Sequence, residues 1–189
     1  MMSNQSTNFL WTVLGGVYLT IENIVTERLT LIPVTFEITT SLLEGKYDVI
    51  QKMGFLTDEM WPTSDTKDIL PSIDSALEHS EPSGFEFWMV VKRDSNMIIG
   101  DVGFHGKPNA EGEVEVGFGF VEKERGKGFG FESLKGIMQW LETQDSVSVI
   151  KADCLISNQA SIRLLEKAGM NEVYRNEEYI FWRRQLRCI

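Results

Sequence analysis

One stretch near the middle of this 189-residue chain constrains its fold more than any other. Residues 113–120 alternate as a strand does, with the apolar side chains on one side and glutamate or glycine on the other. The apolar side is Val114, Val116, Phe118 and Phe120, and the other is Glu113, Glu115, Gly117 and Gly119. Residues 125–130 follow as a glycine-rich turn, and apolar residues from Phe131 to Leu141 then recur at helical spacing. The sequence therefore predicts a strand, a tight turn and a helix in succession.

The turn between the predicted strand and helix has the features of an anion-binding site. The first amides of a helix have no partner within the helix, and the helix dipole adds partial positive charge there. Glycines let the main chain approach a phosphate closely, because no Cβ stands in the way. We therefore interpret residues 125–130 as a phosphate-binding loop.

Two common phosphate-binding patterns do not fit this loop. The P-loop pattern requires Ser or Thr after Gly-Lys, but Gly126-Lys127 is followed by Gly128. The dinucleotide fingerprint requires a glycine where this chain has Phe131. The pattern that remains is Arg125-x-x-Gly128-x-Gly130.

This pattern resembles the acetyl-CoA pyrophosphate loop of the GNAT acetyltransferase superfamily. Two further segments resemble its Rim-type branch, whose members acetylate N-terminal amines of ribosomal proteins. Residues 26–33 look like the opening strand of that branch, with Ile32 in place of the usual Arg. Residues 158–170 resemble its Asn-x-x-Ser-x-x-Leu-Leu-Glu-Lys-x-Gly-Phe segment. The resemblance spans roughly residues 26–186.

The resemblance implies an α/β (α+β) fold with a mixed, mostly antiparallel central sheet, flanked by helices and splayed at the cofactor site. We expect an N-terminal extension over residues 1–25 and a single acetyltransferase domain over residues 26–189. The apolar run from Phe9 to Leu19 has no Lys or Arg before it and is too short to span a bilayer, so we assign it to the extension.

Periodicity and turn residues predict the remaining elements. Strands are expected at 26–33, 85–92, 97–104, 147–155 and 179–184, and helices at 36–43, 49–53, 69–77 and 158–168. Residues 56–64 are expected to form a loop. Trp61, in that loop, either lines the acceptor site or belongs to the core, and the core is the more common place for a tryptophan.

The resemblance implies that acetyl-CoA is the co-substrate. The loop residues that would hold its pyrophosphate are Arg125, Gly126, Lys127, Gly128, Phe129 and Gly130. A strand bulge near Phe120 and Val121 would let their main-chain groups pair with the pantetheine arm. Asn158 would cap a helix and also hydrogen-bond this arm. For Lys127, simple solvation of an exposed turn is the alternative.

Acyl transfer from a thioester to an amine needs a proton acceptor and a stabilised carbonyl oxygen. The match to the strand glutamate of the family favours Glu115 over Glu113 as the proton acceptor, although a solvated or ion-paired strand residue is the alternative. His105 is a weaker candidate, since a lone loop histidine is usually a surface residue.

A proton donor to the departing thiolate is also needed. Many GNAT enzymes use a tyrosine seven residues after the motif asparagine, and this chain has Leu165 there. The Rim resemblance transfers the role to Ser161, with Tyr174 and Tyr179 as substitutes. An ordinary first-turn helix serine is the alternative for Ser161.

The net charge and the cysteine content indicate which classes of binding partner and which cellular compartment to expect. A net charge of -10 argues against nucleic acid and would favour a cationic substrate, although most acidic proteins are acidic for solubility. Cys154, Cys188 and two histidines form neither a disulfide framework nor a metal-ligand pattern, so we expect reduced thiols, a cytoplasmic protein and no metal. We expect no membrane association, and a monomer or a homodimer.

The sequence thus predicts an acetyl-CoA-dependent N-acetyltransferase that acts on a primary amine. A protein N-terminus is the first choice of acceptor, and a small-molecule amine such as a polyamine or antibiotic is the second. A non-catalytic acyl-CoA-binding sensor and a nucleotide-binding domain are the rivals from other classes.

Overall fold

A computed structural model describes residues 21–186, so the apolar run from Phe9 to Leu19 lies outside the described residues. The strands are β1 (Ile24–Val25), β2 (Leu29–Pro33), β3 (Leu56–Thr57), β4 (Phe87–Lys92), β5 (Met97–Phe104), β6 (Glu113–Phe120), β7 (Val149–Leu155), β8 (Asn171–Arg175) and β9 (Tyr179–Gln185). The helices are α1 (Phe36–Leu43), α2 (Asp48–Lys52), α3 (Ser64–Leu77), α4 (Phe129–Leu141) and α5 (Gln159–Lys167), with a 3₁₀ turn at Glu122–Glu124.

The strands form one sheet in the order β1-β2-β4-β5-β6-β7-β9-β8, with β3 paired to β5. The pairings are antiparallel except for β6 with β7 and β3 with β5, which are parallel. This arrangement confirms the predicted mixed, mostly antiparallel sheet flanked by helices.

The sheet is splayed between β6 and β7. Their ladder has three pairs, from Glu113 opposite Val149 to Glu115 opposite Lys151. Beyond these pairs β6 continues to Phe120 along β5, and β7 continues to Leu155 along β9. A gap therefore opens on the side of β6 that faces away from β5.

The predicted bulge near Phe120 and Val121 is wrong for the ladder between β5 and β6. The register there is unbroken from Phe104 opposite Val116 to Gly100 opposite Phe120. The Val121 amide extends it by donating to the Ile99 carbonyl at 3.0 Å. Because these bonds keep β6 regular, the gap results from the departure of β7; a register shift occurs instead between β4 and β5.

Helices cover both faces of the sheet. On one face, Trp140 of α4 packs against the rings of Trp88 and Phe104, with centroids 5.4 and 6.1 Å away. On the other face, Thr66 of α3 donates a hydrogen bond to Asp101 of β5. Among the helices of residues 21–186, none has the length and apolar character needed to cross a bilayer.

The predicted elements are present, and several begin or end elsewhere. Three short strands, β1, β3 and β8, were not predicted, and Ile24–Val25 lies in the expected extension. Helix α3 begins at Ser64, before the predicted start at Ile69, because Thr63 caps it by accepting from the Thr66 amide. Trp61 is fully buried, which confirms its place in the core.

Candidate functional site

Strand β6 presents its main chain to the gap and its side chains to the two faces of the sheet. The Glu115 carbonyl accepts from the His105 amide, and the Val121 amide donates to Ile99, so odd-numbered residues bond to β5. Successive residues of an antiparallel strand point these groups in opposite directions. The main-chain groups of Phe118 and Phe120 therefore face the gap, where Arg125 Nε donates to the Phe120 carbonyl at 2.9 Å.

The loop after β6 carries a row of unpaired amides. Gly126 and Gly128 have φ angles of 75° and 85°, in the left-handed region that favours glycine. Gly128 is the N-cap of α4 and offers no side chain to the first turn. Within residues 21–186, the main-chain amides of residues 126–131 have no acceptor. The loop can therefore donate several hydrogen bonds to one anion.

Gly130 allows the first turn of α4 to contact α5. A Cβ at this position would lie 2.7 Å from Leu164 Cδ1, closer than side chains can approach. The absence of a side chain therefore lets the first turn of α4, next to the loop, pack against Leu164 in the second turn of α5.

Two cations from the loop itself are already engaged. Arg125 holds the end of β6, and Lys127 Nζ lies 3.1 Å from Glu124 Oε2. A third cation, Arg28, was not identified from the sequence. Its guanidinium donates to the Lys127 carbonyl at 3.1 Å and lies 4.5 Å from the centre of the Phe129 ring.

Arg28 also pairs with Glu132 in the first turn of α4. Its Nε lies 2.7 Å from Glu132 Oε2, and the other carboxylate oxygen accepts from Thr26 Oγ1 at 2.6 Å. Burial alone would raise the pKa of Glu132, but the hydrogen bonds from Thr26 and Arg28 outweigh it and hold the pKa below its usual value. The pair fixes the start of β2 against the loop. The Rim-like opening segment contains Thr26 and Arg28, the two residues that hold Glu132, and was the available signal.

The second motif places Asn158 and Ser161 at the N-terminus of α5. Asn158 Oδ1 accepts from the Ser161 amide at 3.1 Å, which confirms the predicted cap. The Asn158 side-chain amide and the Ser161 hydroxyl have no hydrogen-bond partner in the part of the chain that the structure describes. Both groups are thus available to a ligand.

The position where many family members have the proton-donating tyrosine, and the two tyrosines named as substitutes, differ widely in solvent exposure. Leu165 is fully buried, so its side chain is part of the core. Tyr174 is exposed on β8 and stacks on Phe181 at 5.5 Å. Tyr179 is half-buried at the start of β9.

The two strand glutamates have different partners. Glu113 pairs with Lys151 at 3.0 Å and Arg183 at 3.3 Å, and the Lys151 hydrogen bond is the main cause of a lowered pKa. Glu115 Oε1 lies 3.0 Å from His105 Nδ1, with both side chains partly exposed. Nε2 is the ring nitrogen of His105 that does not face Glu115.

Beside this pair, Gly117 and Gly119 leave an uncovered strip on the α3 face of β6, here called the glycine strip. A Cβ on Gly117 would lie 3.5 Å from His105 Nε2. A Cβ on Gly119 would lie 3.2 Å from Thr63 Oγ1 and 3.6 Å from Asp101 Oδ1. The side chains of three elements therefore border one narrow space.

Asp101 is the buried acid of this strip, and sequence reasoning missed it. It is 7% exposed, and its Oδ2 accepts from Trp61 Nε1 at 3.0 Å and Thr66 Oγ1 at 2.8 Å. Burial raises the pKa of Asp101 to about 6, against the lowering effect of these two hydrogen bonds. The available signal was a single carboxylate in an otherwise apolar and glycine-containing strand, β5.

The chain is similar to known acetyltransferases. Residues 28–171 match the family described as "Acetyltransferase (GNAT) domain". The uncharacterized N-acetyltransferase YjdG of Bacillus subtilis is 30% identical over 158 residues, which cover 83% of this chain and 94% of that protein.

Solved structures share the fold. A GNAT-family acetyltransferase from Bacillus anthracis has a TM-score of 0.61 at 20% identity and covers 87% of this chain and 99% of its own. A second structure is RimL, described as a ribosomal L7/L12 alpha-N-protein acetyltransferase in complex with coenzyme A. It has a TM-score of 0.59 at 16% identity, and the match covers 87% of this chain and 98% of the RimL chain.

Proposed function

Because the chain belongs to the GNAT acetyltransferase family, we propose that it transfers an acetyl group from acetyl-CoA directly to a primary amine. The observation that carries this proposal is the loop of unpaired amides at residues 126–131, beside the gap between β6 and β7. A protein N-terminus is the first class of acceptor, supported by the fold shared with RimL. A small-molecule amine is the second.

The residues present fit acetyl-CoA. The amides of residues 126–131 would hold the pyrophosphate, and the main-chain groups of Phe118 and Phe120 would hold the pantetheine arm along the gap. The unpartnered amide of Asn158 would add a donor at the opposite side. Val121 contributes no free amide, since its N–H donates to Ile99. When bound, acetyl-CoA supplies an activated acetyl group as a thioester.

The chain's own groups supply the remaining chemistry. Glu115 holds His105 Nδ1, so the Glu115–His105 pair accepts a proton from an amine on the glycine strip through Nε2. Main-chain amides at the gap donate to negative charge on an acyl oxygen. The free hydroxyl of Ser161 is the proton donor to a thiolate.

Thermal melting with and without acetyl-CoA tests the cofactor site. In the parent, acetyl-CoA at one hundred times its dissociation constant should add about 2.7 kcal/mol to the free energy of unfolding. Gly128→Glu should abolish this shift, because its carboxylate would repel the pyrophosphate. The matched control is Gly45→Glu at the end of α1, where the φ angle of 69° imposes the same backbone strain and nothing lies within 4 Å.

The melting and activity results distinguish an acetyltransferase from an acyl-CoA-binding sensor and from a nucleotide-binding domain. A shift in the parent and in Gly45→Glu, but not in Gly128→Glu, supports the loop. No shift in the parent rejects the cofactor site, and protection by ATP alone would favour a nucleotide-binding domain. Steady release of coenzyme A in the presence of an amine excludes the acyl-CoA-binding sensor.

A further inference from the structure

One oxygen of the Asp101 carboxylate has no partner. Oδ2 accepts two hydrogen bonds, from Trp61 and Thr66, whereas Oδ1 receives none from residues 21–186 and borders the space over Gly119. The Asp101 side chain is buried, with 7% of its surface exposed. Even so, no Lys or Arg of the described residues forms an ion pair with it. Because Oδ1 is not fully enclosed, a donor from a ligand can reach it and form the missing hydrogen bond.

We propose that Asp101 binds the protonated amino group of the acetyl acceptor, in the glycine strip between Asp101 Oδ1 and His105 Nε2. This inference rests on the proposed function and adds the residue that selects a cationic acceptor. Asp101 faces Gly119 and His105 faces Gly117, which are two residues apart on one strand face. The two glycines are about 6.6 Å apart along the strand, so an amine held at Asp101 Oδ1 lies on the same strand face as the His105 imidazole and next to it.

The charges around Asp101 favour a cation. The groups that contact the carboxylate, Trp61 and Thr66, are neutral donors. The charged residue that acts on it is Asp65 at the start of α3, which adds negative potential and raises its pKa further. Above about pH 6 the carboxyl is ionised and its charge is uncompensated, so an ammonium group is the ligand that this environment favours.

The shape of the strip restricts the acceptor. Thr63 lies against the Gly119 position, and glycine at both strand positions leaves free the space that a side chain would otherwise fill. The α-amino group of a chain terminus and an alkyl amine are the two classes of cationic acceptor to compare there.

Titration calorimetry with the tripeptide Ala-Ala-Ala amide and with n-butylamine tests the proposal, with and without saturating coenzyme A. The N-acetylated forms, which carry no positive charge, are the ligand controls. Asp101→Asn keeps an oxygen for Trp61 and Thr66 but removes the charge, so it should weaken amine binding about 10- to 100-fold. Asp68→Asn, an exposed change of the same formal charge on α3, should bind as the parent does.

A second variant acts by occupying the space. Gly119→Ala places its Cβ 3.2 Å from Thr63 Oγ1 and should raise the KM for the amine while the acetyl-CoA shift in melting temperature is kept. Equal amine affinity in the parent and Asp101→Asn, or no binding of either amine to the parent, overturns the inference. Loss of the acetyl-CoA shift in the parent instead rejects the proposed function, whatever the amine titrations give.

Discussion

At the scale of single residues, the site depends on how carboxylates are partnered. Glu113 is held by two cations, Glu115 by an imidazole, and Asp101 by two neutral donors. These three acids lie on the same face of β5 and β6 but have different electrostatic surroundings. Their contributions to stability and to catalysis should therefore separate on mutation.

Glu115→Gln should lower kcat at least about 100-fold, because His105 Nδ1 loses the carboxylate that pairs with it. The acetyl-CoA shift in melting temperature should be unchanged. Glu113→Gln, two residues away on the same face, is the matched control and should reduce stability with little effect on kcat. If steady-state kinetics show a larger fall in kcat for Glu113→Gln than for Glu115→Gln, Glu113 is the proton acceptor.

Asp101→Asn should make stability less dependent on pH. A carboxyl whose pKa is raised on folding, here from 3.8 to about 6, contributes stability below the unfolded value and loses it as pH rises through the folded value. At about pH 8 the variant should therefore be the more stable protein, by up to about 3 kcal/mol, and near pH 4 the difference should vanish. Urea denaturation across this range is the measurement. A parent that is more stable than the variant at about pH 8 contradicts the prediction.

At the scale of elements, the N-termini of α4 and α5 are each held by side-chain contacts. The first turn of α4 is fixed to β2 by the Arg28–Glu132 pair, and the first turn of α5 is capped by Asn158. Gly130 in the first turn of α4 packs against Leu164 in the second turn of α5, so a larger side chain at position 130 would displace α5.

Substitutions of Asn158 distinguish its two roles. Asn158→Ala should cost about 1 kcal/mol, because the Ser161 amide loses its cap. Asn158→Ser keeps a capping oxygen but lacks the side-chain amide, so it should retain stability and weaken acetyl-CoA binding if that amide contacts the ligand. Equal acetyl-CoA affinity in Asn158→Ser and the parent, measured by calorimetry, would leave Asn158 as a cap only.

At the scale of the whole molecule, the three-pair ladder between β6 and β7 joins two parts of the sheet. Acetyl-CoA bound in the gap would hydrogen-bond the edge that β7 leaves unpaired. The molecule should therefore gain protection at that edge on binding, without a change of fold.

Hydrogen exchange resolves this effect along β6. The amides of Phe118 and Phe120 face the gap and should exchange rapidly in the free protein and slowly with acetyl-CoA. The amides of Gly117 and Gly119 bond to β5 and should be protected in both states. Protection that rises equally at all four positions would indicate global stabilisation rather than occupation of the gap.

The parts of the fold that sequence reasoning found have strong local patterns. The alternation of β6, the glycine turn and the Asn158 cap are each set by neighbouring residues, and the structure confirms them as elements. Strand β8 was missed because every residue in it is exposed, which leaves no apolar alternation to detect. The bulge was wrong because the register of β6 is set by its pairing with β5, which the residues of β6 alone do not show.

The acid of the glycine strip was missed for a related reason. The surroundings of Asp101 are set by Trp61 and Thr66, which donate hydrogen bonds to it and lie 40 and 35 positions away in the sequence. A sequence shows the carboxylate but not the burial that makes it exceptional. Arg28 was likewise part of a recognised segment, while its contact with the loop joins residues 99 positions apart.

The geometry of β6 has a consequence for how this protein can evolve. Its in-plane main-chain groups face the gap, and its side chains stand perpendicular to them over the glycine strip. If the gap holds acetyl-CoA, recognition there depends on main-chain atoms that every amino acid except proline supplies, so substitutions other than proline at odd-numbered positions of β6 leave it intact. Mutations can then alter the choice of acceptor without loss of the acetyl donor. A change of acceptor amine can then arise through single substitutions at these positions.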